Sequence, residues 1–315
     1  MSKRIIGAVV QAGSALFDTP RTMEKFADFA SKSASQGAEL AVFPEAFIGG
    51  YPKGHQFGTV VGTRTAEGRD WFRRYHESAI DIPGPETAEI ARLAKDLGLD
   101  LVVGVVERAA KAEGGGTLYC AALCFSRDGA FLGKRRKLMP TAAERLIWGF
   151  GDGSTLDIFD APSGRVSVAI CWENYMPMLR MNFYAQGAEL YCAPTVDERE
   201  NWTSTMRTIA VEGRCFVLSA CQYLTHADAP ADYLAGLGDT PKKALINGGS
   251  VIISPLGAIL AGPKIGEEAI LTAELDFAEI IRGKMDFDVA GHYARPDVFR
   301  LLVNRARQRA VSDEE

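Results

Sequence analysis

Short apolar runs alternate with longer stretches of helical spacing along the first part of the chain. Residues 5–10 and 40–43 are compact apolar runs that favour buried strands, and residues 22–36 between them carry apolar positions at helical spacing. A strand, a helix and a second strand in this order predict a βαβ beginning. Residues 67–80 and 86–97 are predicted to form two helices that cover the sheet. Residues 99–106 are predicted to form the next strand.

Two predicted hairpins and a second βαβ rhythm follow. The first hairpin joins residues 118–125 and 130–136 through Arg127-Asp128-Gly129, whose Asp-Gly step suits a tight reversal. The later elements are a hairpin of residues 156–159 and 166–170, a helix at 177–186, strands at 189–193 and 215–221 around a helix at 202–213, a surface loop at 228–243, a meander at 250–253, 258–260 and 269–275, and a helix at 277–284. The pattern predicts an α/β fold, either as one large domain or as two tightly joined halves.

The composition is that of an ordinary globular protein with no excess of positive charge. The chain has 315 residues, of which 47% are hydrophobic and 24% are charged. No apolar run approaches the roughly 20 residues that span a bilayer, and the run within residues 1–13 is too short for a signal peptide, so we interpret it as the first strand. A net charge of −5 argues against nucleic acid or a membrane as partner. Small molecules are therefore the expected partners.

Six cysteines and four histidines bear on the cellular setting and on metals. The cysteines include no C-x-x-C pair, and several lie inside apolar runs such as C-F-V-L-S-A-C at residues 215–221, which is typical of a reduced cytoplasmic protein. The histidines are scattered, and none pairs with a cysteine or a carboxylate at a ligand spacing. We therefore expect a cytoplasmic protein without a zinc or iron site.

One cysteine, Cys171, is placed for chemistry. It ends the predicted strand of residues 166–170, and Pro177 opens the predicted helix that follows. A thiol at a strand end that faces a helix amino terminus is expected to favour the thiolate, because orphan N–H groups and the helix dipole stabilise negative charge. The alternative is an inert core position, since free cysteine is among the most buried residue types.

No histidine lies at a strand end where it would serve Cys171 as a base, so the candidate partners are other charged residues. Glu45 directly follows the apolar run L-A-V-F-P, and a carboxylate in apolar surroundings has a raised pKa that suits proton transfer. Lys137 ends the run G-K-R-R-K, in which alternation puts Arg135 and Lys137 on one face. Glu144 either starts a helix or holds Lys137 by an ion pair. The alternatives are a cap or surface carboxylate for Glu45 and a solvated basic strand end for Lys137.

Three motifs in the order Glu, Lys, Cys resemble the catalytic motifs of the nitrilase superfamily. They are F-P-E-A-F-I-G-G-Y-P around Glu45, R-K-L-M-P-T-A-A-E-R-L-I-W-G-F-G-D-G-S around Lys137 and I-C-W-E-N-Y-M-P around Cys171. Y-C-A-P-T, G-G-S-V-I-I-S-P-L-G and G-H-Y-A-R-P-D-V-F resemble the nitrilase branch itself, including its plant-type members. The resemblance implies a single domain over residues 1–315, folded as a four-layer αββα sandwich that dimerises as αββα–αββα, with the tail from about residue 291 at an interface.

The resemblance also implies a role for each candidate residue. Glu45 would be the general base, Lys137 the cation that stabilises the intermediate and Cys171 the nucleophile, while Glu144 matches an additional glutamate near the lysine. Arg135 departs from the pattern, since many relatives have histidine at that position. The chain ends soon after the tail motif, so homodimers are expected rather than spiral filaments.

The implied activity is hydrolysis of an organic nitrile to the carboxylic acid and ammonia. It would proceed without a cofactor through a covalent thioimidate and thioester on Cys171, and the backbone N–H of Trp172 would help to stabilise developing charge. The alternative among enzymes is an amidase or carbamoylase of the same superfamily. The alternative outside enzymes is a non-catalytic binding or assembly protein with the same fold.

The motifs leave the substrate open. The candidates for the pocket wall are Tyr51, Trp148, Tyr175, Met176 and Thr195, and each of them equally suits a core position. Aliphatic, aromatic, arylaliphatic and cyanoamino acid nitriles, and cyanide, therefore all stay candidate substrates.

Overall fold

The fold is built from two large β-sheets with helices on their outer sides. The computed structural model describes residues 2–238 and 244–311. The α-helices in this part of the chain are α1 Thr19–Ser35, α2 Ala66–Ser78, α3 Pro85–Leu97, α4 Pro177–Ala185, α5 Glu200–Gly213, α6 Ala231–Leu237 and α7 Ala278–Asp286. The strands are β1 Arg4–Gln11, β2 Leu40–Val42, β3 Thr59–Val60, β4 Thr63–Arg64, β5 Asp100–Arg108, β6 Leu118–Phe125, β7 Phe131–Arg136, β8 Phe159–Ala161, β9 Gly164–Val168, β10 Leu190–Cys192, β11 Phe216–Ser219, β12 Tyr223–Thr225, β13 Ala244–Ile253, β14 Ile259–Ile265 and β15 Ala269–Asp276. None of the described helices is long and apolar enough to cross a bilayer.

The two large sheets share one plan. The first has six strands in the order β15-β1-β2-β5-β6-β7, and β1, β2 and β5 run parallel at its centre. The second has seven strands in the order β12-β13-β11-β10-β9-β8 with β14 beside β13, and β9, β10 and β11 run parallel at its centre. Because the carboxyl ends of parallel strands meet at one edge, each sheet gathers several loops at a common place.

Alternation along the central strands divides the core into three layers of side chains. In β1, Val9 faces the space between the sheets, whereas Ala8 and Val10 face α1 and α3. In β11, Leu218 faces the other sheet, whereas Val217 faces α4 and α5. Helices therefore cover the outer face of each sheet, and the predicted αββα sandwich is confirmed.

One of the two helices expected to cover the first sheet lies elsewhere. The helix α3 packs on the sheet, but α2 directs Trp71 and Tyr75 into the core between the sheets. The Tyr75 hydroxyl donates to Gly50 O at 2.9 Å, and the Trp71 ring packs against His55 with centroids 4.9 Å apart. The prediction is wrong for α2, because its aromatic side chains pack on the loop that follows β2.

Residues 231–237 form α6 instead of the predicted surface loop. Tyr233 on this helix is fully buried, its ring stacks on His55 at 5.5 Å, and its hydroxyl donates to Lys53 O at 2.7 Å. The glycines and prolines of residues 228–243 indicated a loop, whereas one buried aromatic side chain stabilises a short helix there. Residues 239–243 of that predicted loop lie outside the described residues.

The tail from residue 291 crosses the surface of its own subunit. It contains no helix or strand over residues 291–311, and the Arg305 guanidinium donates to Asp157 and Asn182. Phe299 and Leu302 expose 78% and 90% of their surface. The expected interface at this tail stays a prediction.

Gly104 in β5 allows the loop after β2 to approach the sheet closely. A Cβ atom at this position would lie 1.9 Å from Pro44 O and 2.8 Å from Glu45 Cα. Ile48 N also donates to Gly104 O at 3.1 Å, which fixes the loop against the strand. Only glycine therefore lets Glu45 take its observed place over β5.

We expect Gly104→Ala to lower the free energy of unfolding by about 1–3 kcal/mol, because the added methyl group must displace backbone atoms in a packed core. Urea denaturation measures the change. Gly116→Ala is the matched control, since no atom lies within 4 Å of its Cβ position and its backbone needs no glycine. Equal unfolding midpoints for the two variants would contradict the close approach.

Candidate active site

Glu45 is buried at the carboxyl end of β2. The strand ends at Val42, and the loop that follows places the Glu45 side chain in the space between the sheets with no exposed surface. The Glu45 carbonyl accepts a hydrogen bond from Gln222 Nε2 at 2.8 Å, which ties this loop to the second sheet. The carboxylate is therefore held by backbone contacts as well as by its charged partner.

Lys137 follows β7, where alternation separates two pairs of basic side chains as the sequence predicts. Arg135 and Lys137 face inward and are fully buried. Lys134 and Arg136 face the other side, where both bind the Glu107 carboxylate. The strand thus delivers one ammonium and one guanidinium to the interior and keeps the other two charges near the surface.

The Lys137 ammonium lies between two carboxylates. Its Nζ is 2.6 Å from Glu45 Oε1 and 2.7 Å from Glu144 Oε2. Glu144 stands in a 3-10 turn, and its Oε2 also accepts from Thr141 N at 2.6 Å, while its Oε1 accepts from the Tyr51 hydroxyl at 2.7 Å. The sequence allowed Glu144 either to start a helix or to hold Lys137. The helical turn starts at Ala142, and Glu144 both caps it and holds Lys137.

Cys171 begins a tight turn that presents its thiol to this cluster. β9 ends at Val168, two residues earlier than predicted, and a 3-10 turn covers Cys171–Tyr175. Cys171 has a φ of 51°, which is uncommon for a residue other than glycine and is typical of strained functional positions. Its N–H donates to Pro194 O at 2.8 Å, and the Thr195 hydroxyl lies 3.3 Å from the sulfur.

The expected thiolate is not the resting state of Cys171. Burial raises the pKa of the thiol well above its usual value, and the Glu45 charge raises it further, so the opposing effects of Lys137 and the Thr195 hydroxyl do not compensate. The orphan N–H groups and the helix dipole favour the thiolate, but the loss of hydration on burial outweighs them. Cys171 is therefore a neutral thiol that needs a base to become a nucleophile.

Glu45 has the properties of that base. Burial raises the pKa of its carboxyl above the ordinary value, although Lys137 and the Cys171 thiol oppose the rise. For Lys137, burial acts to lower the pKa, but Glu45 and the neighbouring thiols outweigh it and raise the pKa well above its usual value. Glu45 Oε2 is buried with no hydrogen-bond partner among the described residues. This oxygen is available to accept a proton beside a permanently charged ammonium.

The thiol opens into a cavity of about 390 Å³. Its lining residues are Tyr51, Lys53, Thr141, Glu144, Cys171, Trp172, Val196, Asp197, Glu198 and Arg199. A neighbouring cavity of about 460 Å³ shares Tyr51, Lys53, Thr141 and Glu144 with it and extends toward Trp148 and His55. A small organic molecule in the first cavity can therefore reach the sulfur, with room beside it in the second.

The structure brings three of the five predicted pocket residues to these cavities or to the sulfur. Tyr51 lines both cavities, Trp148 lines the second, and Thr195 contacts Cys171. Tyr175 and Met176 line neither cavity, because the 3-10 turn carries Tyr175 to the ring of Trp202 and Met176 to the core beneath α4 and α5. Their placement in the pocket wall is therefore not supported.

Trp172 contributes both a backbone donor and a side chain. Its N–H is among the first amides of the 3-10 turn, which have no carbonyl partner within the turn. Its indole Nε1 donates to Asp197 Oδ2 at 2.9 Å, and the Arg199 guanidinium lies 4.7 Å from its ring centroid. The side chain thus forms part of the cavity wall, which the sequence did not indicate.

A buried ion pair joins the lysine segment to the cysteine turn. Arg135 Nη2 lies 2.7 Å from Glu173 Oε1, and the two side chains are 1% and 0% exposed. Glu173 also accepts from Leu138 N at 2.6 Å and from Ile170 N at 2.9 Å. The pair explains why arginine is accommodated at position 135, and only the inward alternation of Arg135 hinted at it in the sequence.

One further feature of the site was not predicted. The Cys120 thiol lies 3.6 Å from Glu45 Oε1 and packs beside the carboxylate. Within residues 2–238 and 244–311, no three histidine, cysteine, aspartate or glutamate side chains are grouped so as to hold a metal ion. The Glu45 carboxylate, the Lys137 ammonium and the Cys171 thiol form one buried cluster, of which the thiol lines a cavity.

Comparisons with known proteins identify relatives along nearly the whole chain. Residues 8–284 match the carbon-nitrogen hydrolase family. An aliphatic nitrilase of Sinorhizobium fredii (strain HH103) is 54% identical over 304 residues, covering 96% of this chain and 97% of that one. A bifunctional nitrilase/nitrile hydratase of Nicotiana tabacum, NIT4B, is 54% identical over 308 residues, covering 96% and 86%. The crystal structure of a carbon-nitrogen hydrolase from Helicobacter pylori G27 superimposes with a TM-score of 0.73 at 19% identity, covering 94% and 97%, and so shows a common fold.

We expect Arg135→Met to lower the free energy of unfolding by about 3–5 kcal/mol, because it leaves the Glu173 carboxylate buried without its cation. Arg135→Met combined with Glu173→Gln is expected to recover part of this loss, since the uncompensated charge is gone. Thermal and urea unfolding of the three proteins measure both effects.

The control for this prediction is Arg73→Met, which breaks ion pairs to Asp70 and Glu77 on the surface. Exposed pairs of this kind contribute little, so no measurable change is expected. Equal stability of the Arg135 and Arg73 variants would show that the buried pair does not hold the two segments together.

Proposed function

The chain belongs to the carbon-nitrogen hydrolase family, and on that premise we propose that it is a nitrilase, which hydrolyses an organic nitrile to the carboxylic acid and ammonia. The observation that carries the proposal is that Glu45 contacts both the Lys137 ammonium and the Cys171 thiol, and that Cys171 lines a cavity. The names of the Sinorhizobium and Nicotiana relatives support nitriles as the substrate class.

The first stage forms a covalent bond to Cys171. Glu45 accepts the thiol proton while the sulfur attacks the nitrile carbon, and the proton passes from Glu45 to the nitrile nitrogen, which gives a thioimidate. Lys137 has three N–H donors, of which two are used by Glu45 and Glu144. The third, together with the Trp172 N–H, stabilises negative charge that develops on the substrate.

The second stage consumes two molecules of water. Glu45 activates the first water, which adds to the thioimidate carbon and forms a tetrahedral intermediate that carries a hydroxyl, an amino group and the sulfur. Loss of ammonia leaves a thioester on Cys171. A second water then releases the carboxylic acid and restores the thiol, so no cofactor is consumed.

The same intermediate has a second exit, which leads to the amide. If the carbon–sulfur bond breaks before the carbon–nitrogen bond, the thiol leaves and the amide is released after one water. The Nicotiana relative is named a bifunctional nitrilase/nitrile hydratase, which supports the amide as a second product. Ammonia release from matched nitrile and amide substrates separates a nitrilase from an amidase or carbamoylase of the same family.

We also propose that the protein works in the cytoplasm as a homodimer or a higher homo-oligomer. All six cysteines are free and buried, which suits a reducing compartment. Leu302 in the tail and Met285 in α7 are exposed large apolar side chains, which supports a second copy as a covering surface. Light scattering by the purified chain measures its oligomeric state.

We expect Cys171→Ala to lower kcat/KM for nitriles by more than about 10³-fold, because no covalent intermediate can form. Ammonia release and intact-protein mass after mixing with substrate measure the loss of turnover and of the adduct. Cys215→Ala is the control, since Cys215 is a buried thiol of the outer core beneath α4 and α5 and is expected to leave turnover unchanged. Ordinary activity of the Cys171 variant would exclude the mechanism.

We expect kcat/KM to fall toward acid with an apparent pKa above 4.5, the ordinary value for glutamate. Activity is lost on the acid side because protonation of Glu45 removes the base that the neutral thiol needs. The apparent pKa lies above the ordinary value because burial raises the pKa of Glu45. The measured value belongs to the coupled groups together. Activity recovered after return to pH 7 separates this effect from acid unfolding, and a reversible limb at or below 4.5 would count against Glu45.

A further inference from the structure

Lys53 stands at the boundary between the two cavities. It lines the cavity of about 390 Å³ that holds the Cys171 thiol and the neighbouring cavity of about 460 Å³, and its side chain is half-buried. Among the residues that the two cavities share, Lys53 is the positively charged one, whereas the Lys137 ammonium lines neither cavity and is paired with Glu144. Lys53 is therefore the cation that a molecule extending from the sulfur into the second cavity would meet.

The other charged side chains around the catalytic cavity already have partners. Asp197 binds Arg199 and the Trp172 indole, and Glu198 accepts from Asn247 N at 2.6 Å. Among the ion pairs of residues 2–238 and 244–311, by contrast, none involves the Lys53 ammonium. A half-buried ammonium without a counter-ion retains its capacity to bind an anion.

The backbone at Lys53 is fixed on both sides. Lys53 N donates to Tyr51 O at 2.8 Å, and Lys53 O accepts from the Tyr233 hydroxyl at 2.7 Å. Tyr51 is itself fixed by its bond to Glu144. The backbone of Lys53 is therefore held in place and is linked through Tyr51 to the Glu144 carboxylate. Less conformational entropy is lost when a ligand binds to the lysine.

The positive charge of Lys53 affects a thiol close to the Cys171 cavity. Burial raises the pKa of the Cys221 thiol, and the Lys53 ammonium acts in the opposite direction. Cys221 Sγ lies 3.7 Å from Asp197 O, in the wall next to the Cys171 cavity. The ammonium thus acts on the wall of the cavity in which the nitrile would be bound.

We propose that Lys53 binds a carboxylate on the substrate, so that the preferred substrates are nitriles that carry a carboxylate at the end away from the cyano group. This inference rests on the proposed nitrilase function and specifies its substrate class. An ammonium on a flexible stem binds as a point charge, so it selects for the anion and tolerates some variation in chain length. Removal of the carboxylate leaves the lysine partly desolvated and unpaired, which disfavours neutral nitriles.

The test compares acids with neutral molecules of the same length. The probes are terminal cyanopropanoate, cyanobutanoate and cyanopentanoate, each beside its methyl ester, with ammonia release by the full chain as the readout. We expect kcat/KM to favour at least one acid over its ester by about tenfold or more, equivalent to about 1.4 kcal/mol. The difference is expected mainly in KM, because the carboxylate is remote from the reacting carbon.

Variants at Lys53 assign the preference to this residue. Lys53→Met is expected to abolish the preference for the acid, so that each acid and its ester have similar kcat/KM, whereas Lys53→Arg retains the preference because the charge is kept. Lys111→Met is the matched control, since Lys111 is an exposed lysine on a distant 3-10 turn. An acid preference that survives in Lys53→Met, or its absence from the unaltered protein, overturns the inference.

The failure of this inference is distinguishable from failure of the proposed function. Turnover of the esters without any preference for the acids overturns the anchor alone, whereas the absence of both ammonia and amide, from every probe and from neutral aliphatic and aromatic nitriles, overturns the nitrilase function. In that second case, calorimetric titration of cyanobutanoate into Cys171→Ala and into Cys171→Ala/Lys53→Met measures the anchor without turnover. Equal affinity of the two proteins would overturn the role of Lys53 by itself.

Discussion

The buried ammonium of Lys137 is the interaction on which the rest of the site depends. A lone charge in a core costs several kcal/mol, and the cost is offset here because Glu45 and Glu144 both lie within 2.7 Å of Nζ. Glu45 lies in the loop after β2, whereas Lys137 and Glu144 both lie in the loop after β7. The cluster can therefore form only when those loops are folded together, which makes the ion triad a constraint on local structure as well as a source of chemistry.

The charges of Glu45 and Lys137 also affect the protonation state of Cys171, which the second sheet contributes to the site. Cys171 reaches the cluster from the end of β9, through a turn that bonds to the backbone after β10. Its sulfur lies in a place where burial and the Glu45 carboxylate favour the neutral thiol, while Lys137 favours the charged form. The balance leaves a neutral thiol, which in the proposed mechanism is activated by proton transfer during the reaction. The Arg135–Glu173 pair joins the lysine segment to the cysteine turn.

The features that can be predicted from the sequence are those determined by neighbouring residues, such as an apolar run or the alternation of side chains along a strand. The apolar run before Glu45 and the alternation through Lys137 both indicated inward side chains, and the four layers follow from strands that are apolar on both faces. Tyr175 and Met176 were wrongly predicted to line the pocket. They are close to Cys171 in sequence, but the 3-10 turn between them and Cys171 directs their side chains away from the cavities. The helix α6 was missed because its anchor, Tyr233, packs on His55, a residue far away in sequence. The Cys171 pKa was predicted with the wrong sign because hydration is lost only when distant loops close over the sulfur.

The Cys171 thiol is neutral and only 3% exposed, and both properties affect how readily it is oxidised. Peroxide and other oxidants attack the thiolate, and the sulfenic, sulfinic and sulfonic acids that result are formed fastest where that anion is exposed. The free protein therefore offers oxidants a buried, neutral thiol. Low reactivity toward oxidants and reactivity toward a nitrile are thus compatible, provided that Glu45 removes the proton when the substrate is bound.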